Sequence, residues 1–563
     1  MTQPLVDVTR LTVDFPVGAP GEYVRAVDEV SFTLDAGRAL GIVGESGSGK
    51  STVAAALLGL HRGTGARLDG AVRVGGTDVA SASPAQLRRL RGGTAAMVFQ
   101  DPLSSLDPYQ AIGDQIAEVH RIHADVSRRA ARARAVEVLD RVGITDAVRR
   151  SRARPHEFSG GMRQRALIAM ALACEPRLLI ADEPTTALDV TVQAQILDLL
   201  HGLREERGLG LLLVTHDVGV AAENVDELLV MRGGRAVERG AVSRVLSAPD
   251  DPYTRTLLAA VPRLDGVRVR AGGSAPDPAP QSPPATAGRD PQAGLEVAAP
   301  VVEVFGLRKE FGRGKRRVVA VGGVSLAVRA GETLGIVGES GSGKSTLGRM
   351  LVGLLEPSAG RLRRDGREDG AVTGVAPGVQ MVFQDPVSSL NPRRSIGESV
   401  ADPLRAAGER DESAIRARVG ELLLRVGLEA AHYDRYPHEF SGGQRQRVGI
   451  ARALAPRPRL IVCDEPVSAL DVTTQAQVTA LLAELQRELG IALVFIAHDL
   501  AVVRQVSDRV AVMRRGEIVE EGPVDEVYDR PAHPYTRQLL AAVPALDPAL
   551  ADARRASRQE VFA

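Results

Sequence analysis

The twelve residues GIVGESGSGKST stand at 41–52 and again, unchanged, at 335–346. In each copy the glycine-rich stretch, 44–51 or 338–345, follows a short apolar run, 40–43 or 334–337, and leads into a segment with helical patterning. Both fit G-x-x-x-x-G-K-[ST], in which glycines let backbone N–H groups wrap a phosphate while the helix N-terminus adds positive potential. A single match can arise by chance, but two in the same strand–loop–helix context predict two phosphate-binding loops in an α/β fold.

Each loop supplies side chains as well as backbone donors. Lys50 and Lys344 bring positive charge to the β- and γ-phosphates, and the serines that follow them can bind Mg²⁺. The candidate phosphate-binding residues are Gly44, Glu45, Ser46, Gly47, Ser48, Gly49, Lys50, Ser51 and Thr52 in the first loop, and Gly338, Glu339, Ser340, Gly341, Ser342, Gly343, Lys344, Ser345 and Thr346 in the second.

The repetition extends beyond the loops. MVFQDP recurs at 97–102 and 381–386, and PHEFSGG recurs at 155–161 and 437–443, so one unit of roughly 260 residues is present twice. Between the copies, residues 272–294 are rich in Pro, Ala and Gly and too poor in apolar side chains to bury a core, which predicts an extended linker. We predict a first domain at 1–263, a linker at 264–300, a second domain at 301–546 and a C-terminal tail at 547–563.

Two apolar runs that read as buried strands end in carboxylates, Asp182-Glu183 and Asp464-Glu465. The aspartates are placed to bind Mg²⁺, and the glutamates are placed to accept a proton from an attacking water. A solvated strand end is the alternative for such a pair taken alone. Its position downstream of a phosphate loop, in both copies, favours a catalytic site.

Histidine and glutamine follow other strands of the same predicted sheet. His216 and His498 each end a later apolar run; a structural role is the alternative, but the shared edge of the sheet favours a contact with the γ-phosphate. Gln100 and Gln384 can order water or Mg²⁺ or cap a backbone group, and position alone does not decide between these roles. The candidate catalytic residues are Glu183, His216, Glu465, His498, Gln100 and Gln384, and the candidate Mg²⁺ ligands are Ser51, Gln100, Asp182, Ser345, Gln384 and Asp464.

FSGGMRQR at 158–165 and FSGGQRQR at 440–447 each open a helix, whose free N–H groups and serine hydroxyl form a second anion site. This motif strongly resembles the signature of ABC-type ATPases, and the other motifs of that family occur twice in order. The resemblance implies ATP as the nucleotide, an α/β core plus a helical lobe in each half, and a head-to-tail sandwich in which one half's signature closes the other half's ATP site. The implied nucleotide contacts are Ser159, Gly160, Gly161, Ser441, Gly442, Gly443 and Gln444.

Two further expectations come from the resemblance. Met162 stands where glutamine is usual in the first signature, but both halves keep the glutamate and the histidine, so we expect two hydrolysing sites. The aromatic residue that stacks on adenine in this family lies about 30 residues before the loop lysine. Phe311 and Phe15 fit that position, Tyr23 is a rival in the first half, and packing in the core is the alternative for each.

The ends of the two halves narrow the resemblance. DPYT at 251–254 and HPYT at 533–536 look like the C-terminal extension of oligopeptide/dipeptide importer ATPases, and the chain is similar to the two ATPase subunits of that group fused together. This implies two integral-membrane permeases as partners and, through them, an extracellular or periplasmic solute-binding protein. It also implies a peripheral position on the cytoplasmic face of the membrane. We expect no iron–sulfur cluster, because the cysteines that some members carry after this segment are missing.

Composition narrows the choice of function. Seventy basic side chains balance seventy acidic ones, which argues against binding to nucleic acid. No apolar stretch approaches the roughly 18 residues that cross a bilayer. We therefore predict the ATP-hydrolysing subunit of an importer, with peptide as the first choice of solute and nickel, an opine or an oligosaccharide as alternatives. A tandem ATPase that acts on ribosomes is the rival class, but it would show a charged helical linker and lack the PYT extensions.

Overall fold

The computed structural model describes residues 3–18, 21–185, 188–264, 300–312, 317–368, 378–385, 389–468 and 470–562. The chain divides into two compact units. The first contains residues 1–261, 471–473 and 541–563, and the second contains residues 262–470 and 474–540. Apart from its two end residues, the predicted linker at 264–300 lies outside the described residues, so the predicted domain boundaries stay predictions.

The first unit is built on two sheets. The strands are β1 (Val6–Pro16), β2 (Tyr23–Leu34), β3 (Ala39–Val43), β4 (Arg67–Val74), β5 (Thr77–Asp78), β6 (Ala95–Val98), β7 (Leu178–Asp182), β8 (Gly210–Val214), β9 (Glu227–Arg232) and β10 (Arg235–Ala241). One sheet has the order β10-β9-β3-β8-β7-β6 and is parallel except for β10. The other is antiparallel, in the order β2-β1-β4-β5. Strands β3, β7 and β8 are buried at every residue, as expected for parallel strands covered on both faces.

Helices cover the parallel sheet and form the predicted helical lobe. They are α1 (Lys50–Leu57), α2 (Pro84–Gly93), α3 (Pro102–Ser105), α4 (Ile112–His123), α5 (Arg128–Arg141), α6 (Ala147–Arg150), α7 (Gly160–Leu172), α8 (Val190–Arg207), α9 (Val218–Asn224), α10 (Val242–Ser247) and α11 (Pro252–Ala260). Helices α3 to α6 lie between Gln100 and Ser159, where the resemblance placed the helical lobe. Ile112 and Ile116 of α4 and Leu139 of α5 are buried in one core that reaches the parallel sheet.

The second unit repeats this architecture. Its strands are β11 (Pro300–Phe311), β12 (Val318–Arg329), β13 (Thr333–Val337), β14 (Ala359–Arg364), β15 (Arg367–Glu368), β16 (Val379–Val382), β17 (Leu460–Asp464), β18 (Ala492–Ile496), β19 (Arg509–Arg514) and β20 (Glu517–Pro523). They form the sheets β16-β17-β18-β13-β19-β20 and β12-β11-β14-β15. The helices are α12 (Lys344–Val352), α13 (Ile396–Ala406), α14 (Glu412–Arg425), α15 (Gly442–Leu454), α16 (Val472–Leu489), α17 (Leu500–Val506), α18 (Val524–Asp529) and α19 (Pro534–Ala542).

The C-terminal residues belong to the first unit. After Leu546, which packs against that unit's core, a 3₁₀ turn at Pro548–Leu550 leads into α20 (Ala551–Phe562). In the part of the chain that the structure describes, none of the helices combines the length and the apolar character that a membrane span requires.

Candidate nucleotide site

The register of the parallel sheet brings the predicted residues to one edge. In the first unit, Ile42 of β3 and Asp182 of β7 both pair with Val214 of β8. The phosphate loop, the Asp-Glu pair and the histidine therefore leave the sheet side by side at the carboxyl ends of the strands. The second unit has the same register around Ile496 of β18.

Glycine is required where each phosphate loop leaves the sheet. Gly44 has a φ of +151°, and a Cβ built on it would lie 2.1 Å from the carbonyl oxygen of Met231. Gly338 has a φ of +148° and the same 2.1 Å approach to Met513. Because no side chain fits this gap, the loop can pass directly over the neighbouring strand before the helix begins at the loop lysine.

The loop lysines are held by carbonyl groups of their own loops. Lys50 Nζ donates to the carbonyl oxygens of Gly44 and Glu45, both at 2.8 Å. Lys344 makes the same two contacts at 2.6 and 2.8 Å. Burial lowers the pKa of Lys50, while nearby carboxylates, Glu183 foremost, act in the opposite direction. The ammonium group is therefore largely desolvated and can exchange its carbonyl acceptors for phosphate oxygens.

Each phosphate loop contains a buried serine hydroxyl. The Oγ atoms of Ser48 and Ser342 are buried and make no hydrogen bond within the described residues. Proteins pair the large majority of their buried polar atoms, so an unpaired hydroxyl inside a glycine-rich loop fits a ligand that accepts hydrogen bonds. Phosphate oxygens satisfy that requirement.

Hydroxyl and carboxylate oxygens meet where Mg²⁺ is predicted. Ser51 Oγ donates to Asp182 Oδ1 at 2.9 Å, and Ser345 Oγ donates to Asp464 Oδ1 at 2.7 Å. Burial raises the pKa of both aspartates, although the serine hydrogen bond opposes it. Oxygen ligands beside a phosphate are the donor set that Mg²⁺ takes in nucleotide sites, so these residues fit the ion.

In the first unit, Glu183 gathers two of the predicted catalytic residues. Gln100 Nε2 donates to Glu183 Oε2 at 2.7 Å, and His216 Nδ1 lies 3.3 Å from Glu183 Oε1. Glu183 has a φ of +47°, and its N–H donates to the carbonyl of Val214 at 2.8 Å. The hydrogen bond that His216 donates to Glu183 is the main cause that raises the pKa of His216.

The second unit builds the same cluster. Gln384 Nε2 donates to Glu465 Oε2 at 2.8 Å, and His498 Nδ1 lies 3.4 Å from that oxygen. Burial would lower the pKa of His498, but the hydrogen bond and charge of Glu465 outweigh it, so the pKa is raised. Burial would raise the pKa of Glu465, but the hydrogen bond and charge of His498 outweigh it, so the pKa of Glu465 is lowered. In both units the glutamine amide nitrogen therefore contacts the glutamate.

The signature serines cap the helices that they open. Ser159 Oγ accepts the N–H of Met162 at 3.3 Å, and Ser441 Oγ accepts the N–H of Gln444 at 3.3 Å. Gln444 Oε1 in turn accepts the N–H of Ser441 at 3.0 Å, which completes a capping box. Met162 carries no such acceptor. Both serines are exposed, and their contact with nucleotide stays a prediction.

The candidate adenine-stacking residues differ in how free their rings are. Phe15 packs edge-on against His61, with ring centroids 5.2 Å apart. The guanidinium of Arg67 covers the ring of its rival Tyr23 at 3.8 Å. Phe311 is 44% exposed at the end of β11. The role of each in adenine binding stays a prediction.

One contact to the phosphate loops was not predicted from the sequence. Tyr253 and Tyr535, which belong to the PYT segments, accept hydrogen bonds from the backbone N–H groups of Glu45 and Glu339. These tyrosines are 282 residues apart, the spacing that also separates the Asp-Glu pairs and the histidines. That shared spacing could have indicated that they belong to the same site.

The ABC transporter family matches this chain at residues 27–186 and 321–468. The C-terminal region of oligopeptide/dipeptide transporters matches it at residues 237–284 and 519–561. The chain therefore belongs to the ABC transporter family. It is an ABC-type ATPase with two tandem nucleotide-binding cassettes, and ATP is its nucleotide. The predicted fold class and enzymatic activity are confirmed.

Full-length relatives place the chain among importer ATPases of the peptide type. It is 47% identical over 561 residues to the glutathione import ATP-binding protein GsiA of Salmonella paratyphi A, covering 95% of this chain and 89% of that protein. The same protein from Pectobacterium atrosepticum is 46% identical over 581 residues, covering 99% and 92%. Among solved structures, the chain is similar to the ATP-binding cassette MJ0796 bound to ADP and Pi, with 32% identity and a TM-score of 0.37. The match covers 40% of this chain and 98% of the MJ0796 chain.

Proposed function

We propose that this chain powers the uptake of short peptides and that each unit carries its own phosphate, Mg²⁺ and base residues. The observation that supports two hydrolysing sites is the glutamate cluster, which is built twice. The glutamine contact is 2.7 Å in one unit and 2.8 Å in the other, and the histidine contact is 3.3 Å in one and 3.4 Å in the other. A unit that had lost hydrolysis would not be expected to keep this geometry.

The chemistry of one site follows from the residues in place. Backbone N–H groups of the loop and Lys50 hold the β- and γ-phosphates, and the carbonyls that now bind Lys50 release it to them. Ser51 and Asp182 would hold Mg²⁺, which supplies charge neutralisation at the phosphates when bound. Glu183 orients the attacking water and accepts its proton. Gln100 and His216 engage the two carboxylate oxygens and so fix the direction in which Glu183 faces the water.

The corresponding roles fall on Lys344, Ser345, Asp464 and Glu465 in the second unit. There Gln384 and His498 both engage Oε2 of the glutamate. ATP-dependent closure of the two halves, in which each signature contacts the nucleotide of the other half, stays a prediction from the family resemblance. Closure would supply the population shift that drives the transport cycle.

The first experiment measures hydrolysis after Glu183→Gln, Glu465→Gln and the double substitution. The double variant should hydrolyse ATP about 10²-fold more slowly, or slower still, because it lacks both proposed bases, while it still binds ATP. Glu137→Gln, a change at an exposed glutamate of α5, is the control and should leave turnover unaltered. Hydrolysis by the double variant within twofold of the parent would refute the assignment of both glutamates.

The partners and the solute need a second experiment. We propose that two membrane permeases hold the chain on the cytoplasmic face of the membrane and receive solute from a binding protein. The double variant should co-purify with two multi-span permeases in ATP, whereas recovery of ribosomal proteins without permeases would contradict the importer. Because the relatives are named for glutathione import, glutathione is the first peptide to test as a stimulator of ATPase activity in reconstituted vesicles. Stimulation by nickel, an opine or an oligosaccharide instead would overturn the peptide proposal.

A further inference from the structure

The C-terminal extension of each half contacts the phosphate loop of the same unit. Tyr253 of α11 accepts a hydrogen bond from the N–H of Glu45 at 3.2 Å. Tyr535 of α19 accepts one from the N–H of Glu339 at 3.0 Å. Both tyrosines are buried, with 7% and 2% of their surface exposed. The same contact in both copies makes accidental packing a poor explanation.

The surrounding residues fix where the tyrosine hydroxyl lies. Glu238 of β10 accepts the N–H groups of Asp250 and Asp251, at 2.8 and 3.1 Å, just before the helix that carries Tyr253. The guanidinium of Arg232, at the end of β9, lies 4.8 Å from the centre of the tyrosine ring. The second unit repeats the carboxylate contacts at 2.7 and 3.1 Å and the guanidinium contact at 4.7 Å. The extension is therefore anchored to the last two strands of the sheet, β9 and β10 in the first unit and β19 and β20 in the second.

One peptide group joins the tyrosine to the loop lysine. The peptide between Gly44 and Glu45 donates its N–H to Tyr253 and accepts Lys50 Nζ on its carbonyl oxygen at 2.8 Å. Because a peptide group is planar, fixing the direction of its N–H also fixes the direction of its carbonyl. The hydroxyl of the extension thus controls the orientation of a group that holds the lysine.

We propose that Tyr253 and Tyr535 are positioning residues for ATP, which keep the phosphate loops in the shape that receives the nucleotide. This inference rests on the proposed function, because it requires ATP to bind in these loops. Without the hydroxyl, the N–H of Glu45 or Glu339 loses its hydrogen bond to the tyrosine, and the loop spends part of its time in shapes that bind phosphate poorly. Apparent affinity falls in proportion to the population that remains competent.

The test uses the full chain with Tyr253→Phe, Tyr535→Phe and the double substitution, which remove only the hydroxyl groups. Equilibrium binding of a fluorescent ATP analogue and steady-state hydrolysis are measured together with the unfolding temperature. Tyr528→Phe is the matched control, because it removes another buried tyrosine hydroxyl of the segment 519–561, one that donates to the carbonyl of Leu500 at 2.8 Å. The double variant should bind ATP about 3- to 10-fold more weakly and show a KM raised to the same extent, with kcat within twofold of the parent.

The outcomes separate this inference from the proposed function. Loss of affinity in the double variant but not in Tyr528→Phe, at similar unfolding temperatures, supports the positioning role. Affinity and KM equal to those of the parent would overturn it, as would equal effects of Tyr535→Phe and Tyr528→Phe. A parent chain that binds no ATP, or that binds it equally well after Lys50→Ala and Lys344→Ala, would overturn the proposed function first.

Discussion

The sharpest prediction about stability concerns a buried ion-pair network in the first unit. Arg558 of α20 donates to Glu223 of α9 at 2.9 Å and to Asp198 of α8 at 2.8 Å. The side chains of Arg558 and Glu223 are only 2% and 3% exposed, whereas Asp198 is 17% exposed. Replacing Arg558 by Met keeps most of its volume and removes the charge that these two carboxylates share.

The size of the effect follows from what is left behind. Removing one partner of a buried ion pair costs about 3–5 kcal/mol, because the remaining charge stays buried without compensation. Glu223 keeps two contacts, with Arg554 at 3.0 Å and with the N–H of Ala545 at 2.8 Å. The destabilisation caused by removing Arg558 is therefore at the low end of that range. We expect Arg558→Met to destabilise the docking of α20 by about 3 kcal/mol, which is roughly a 10²-fold increase in local opening.

Hydrogen exchange read on peptides from residues 551–560 measures that opening directly, without requiring two-state unfolding of a two-unit chain. The control is Arg554→Met. Arg554 contacts the same glutamate, but its side chain is 27% exposed, so this substitution should accelerate exchange by about tenfold at most. Exchange in the Arg558→Met variant within threefold of the parent would refute the reasoning. So would equal acceleration by the two substitutions, since burial would then not determine the cost.

Three further predictions follow from individual contacts. Met162→Gln should raise the stability of the first unit by about 0.5–1 kcal/mol in thermal unfolding, because it supplies the acceptor that Gln444 uses to complete its capping box; no gain would mean that the new glutamine does not accept the N–H of Ser159. Gly44→Ala should abolish ATP binding and lower the unfolding temperature, because its Cβ would meet a carbonyl oxygen at 2.1 Å; normal binding would contradict the loop geometry. The pKa of His498 is raised in the folded chain, so its stabilising contribution is fully present below its ordinary pKa of about 6.5 and is lost as pH rises through the folded value. His498→Gln should therefore flatten the fall in unfolding temperature as the pH rises above about 6.5, and an unchanged slope would show that another group causes it.

Sequence patterns predicted most of the parallel core for a physical reason. The strands that carry the site are buried on both faces, so they read as unbroken apolar runs, and polar residues appear only where they end. Leu178–Asp182 and Gly210–Val214 show this directly. The antiparallel sheet of β1, β2, β4 and β5 was not predicted, because its strands mix buried and exposed positions with bulges and give no continuous apolar run.

The sequence by itself determined the residues that local chemistry requires. These are the glycines of the loops, the lysine and serine at a helix start, and the Asp-Glu pairs at strand ends. Their roles depend on residues only a few positions away, so the local sequence pattern predicts those roles. Only the tertiary structure decided which of these groups touch. It placed the amides of Gln100 and Gln384 on the glutamates, and it brought the tyrosine of each extension to a loop about 200 residues away, at separations of 208 and 196 positions. It also placed the last helix on Glu223, which precedes Arg558 by 335 positions. Such contacts depend on how distant segments pack, and no local pattern of residue types specifies that packing.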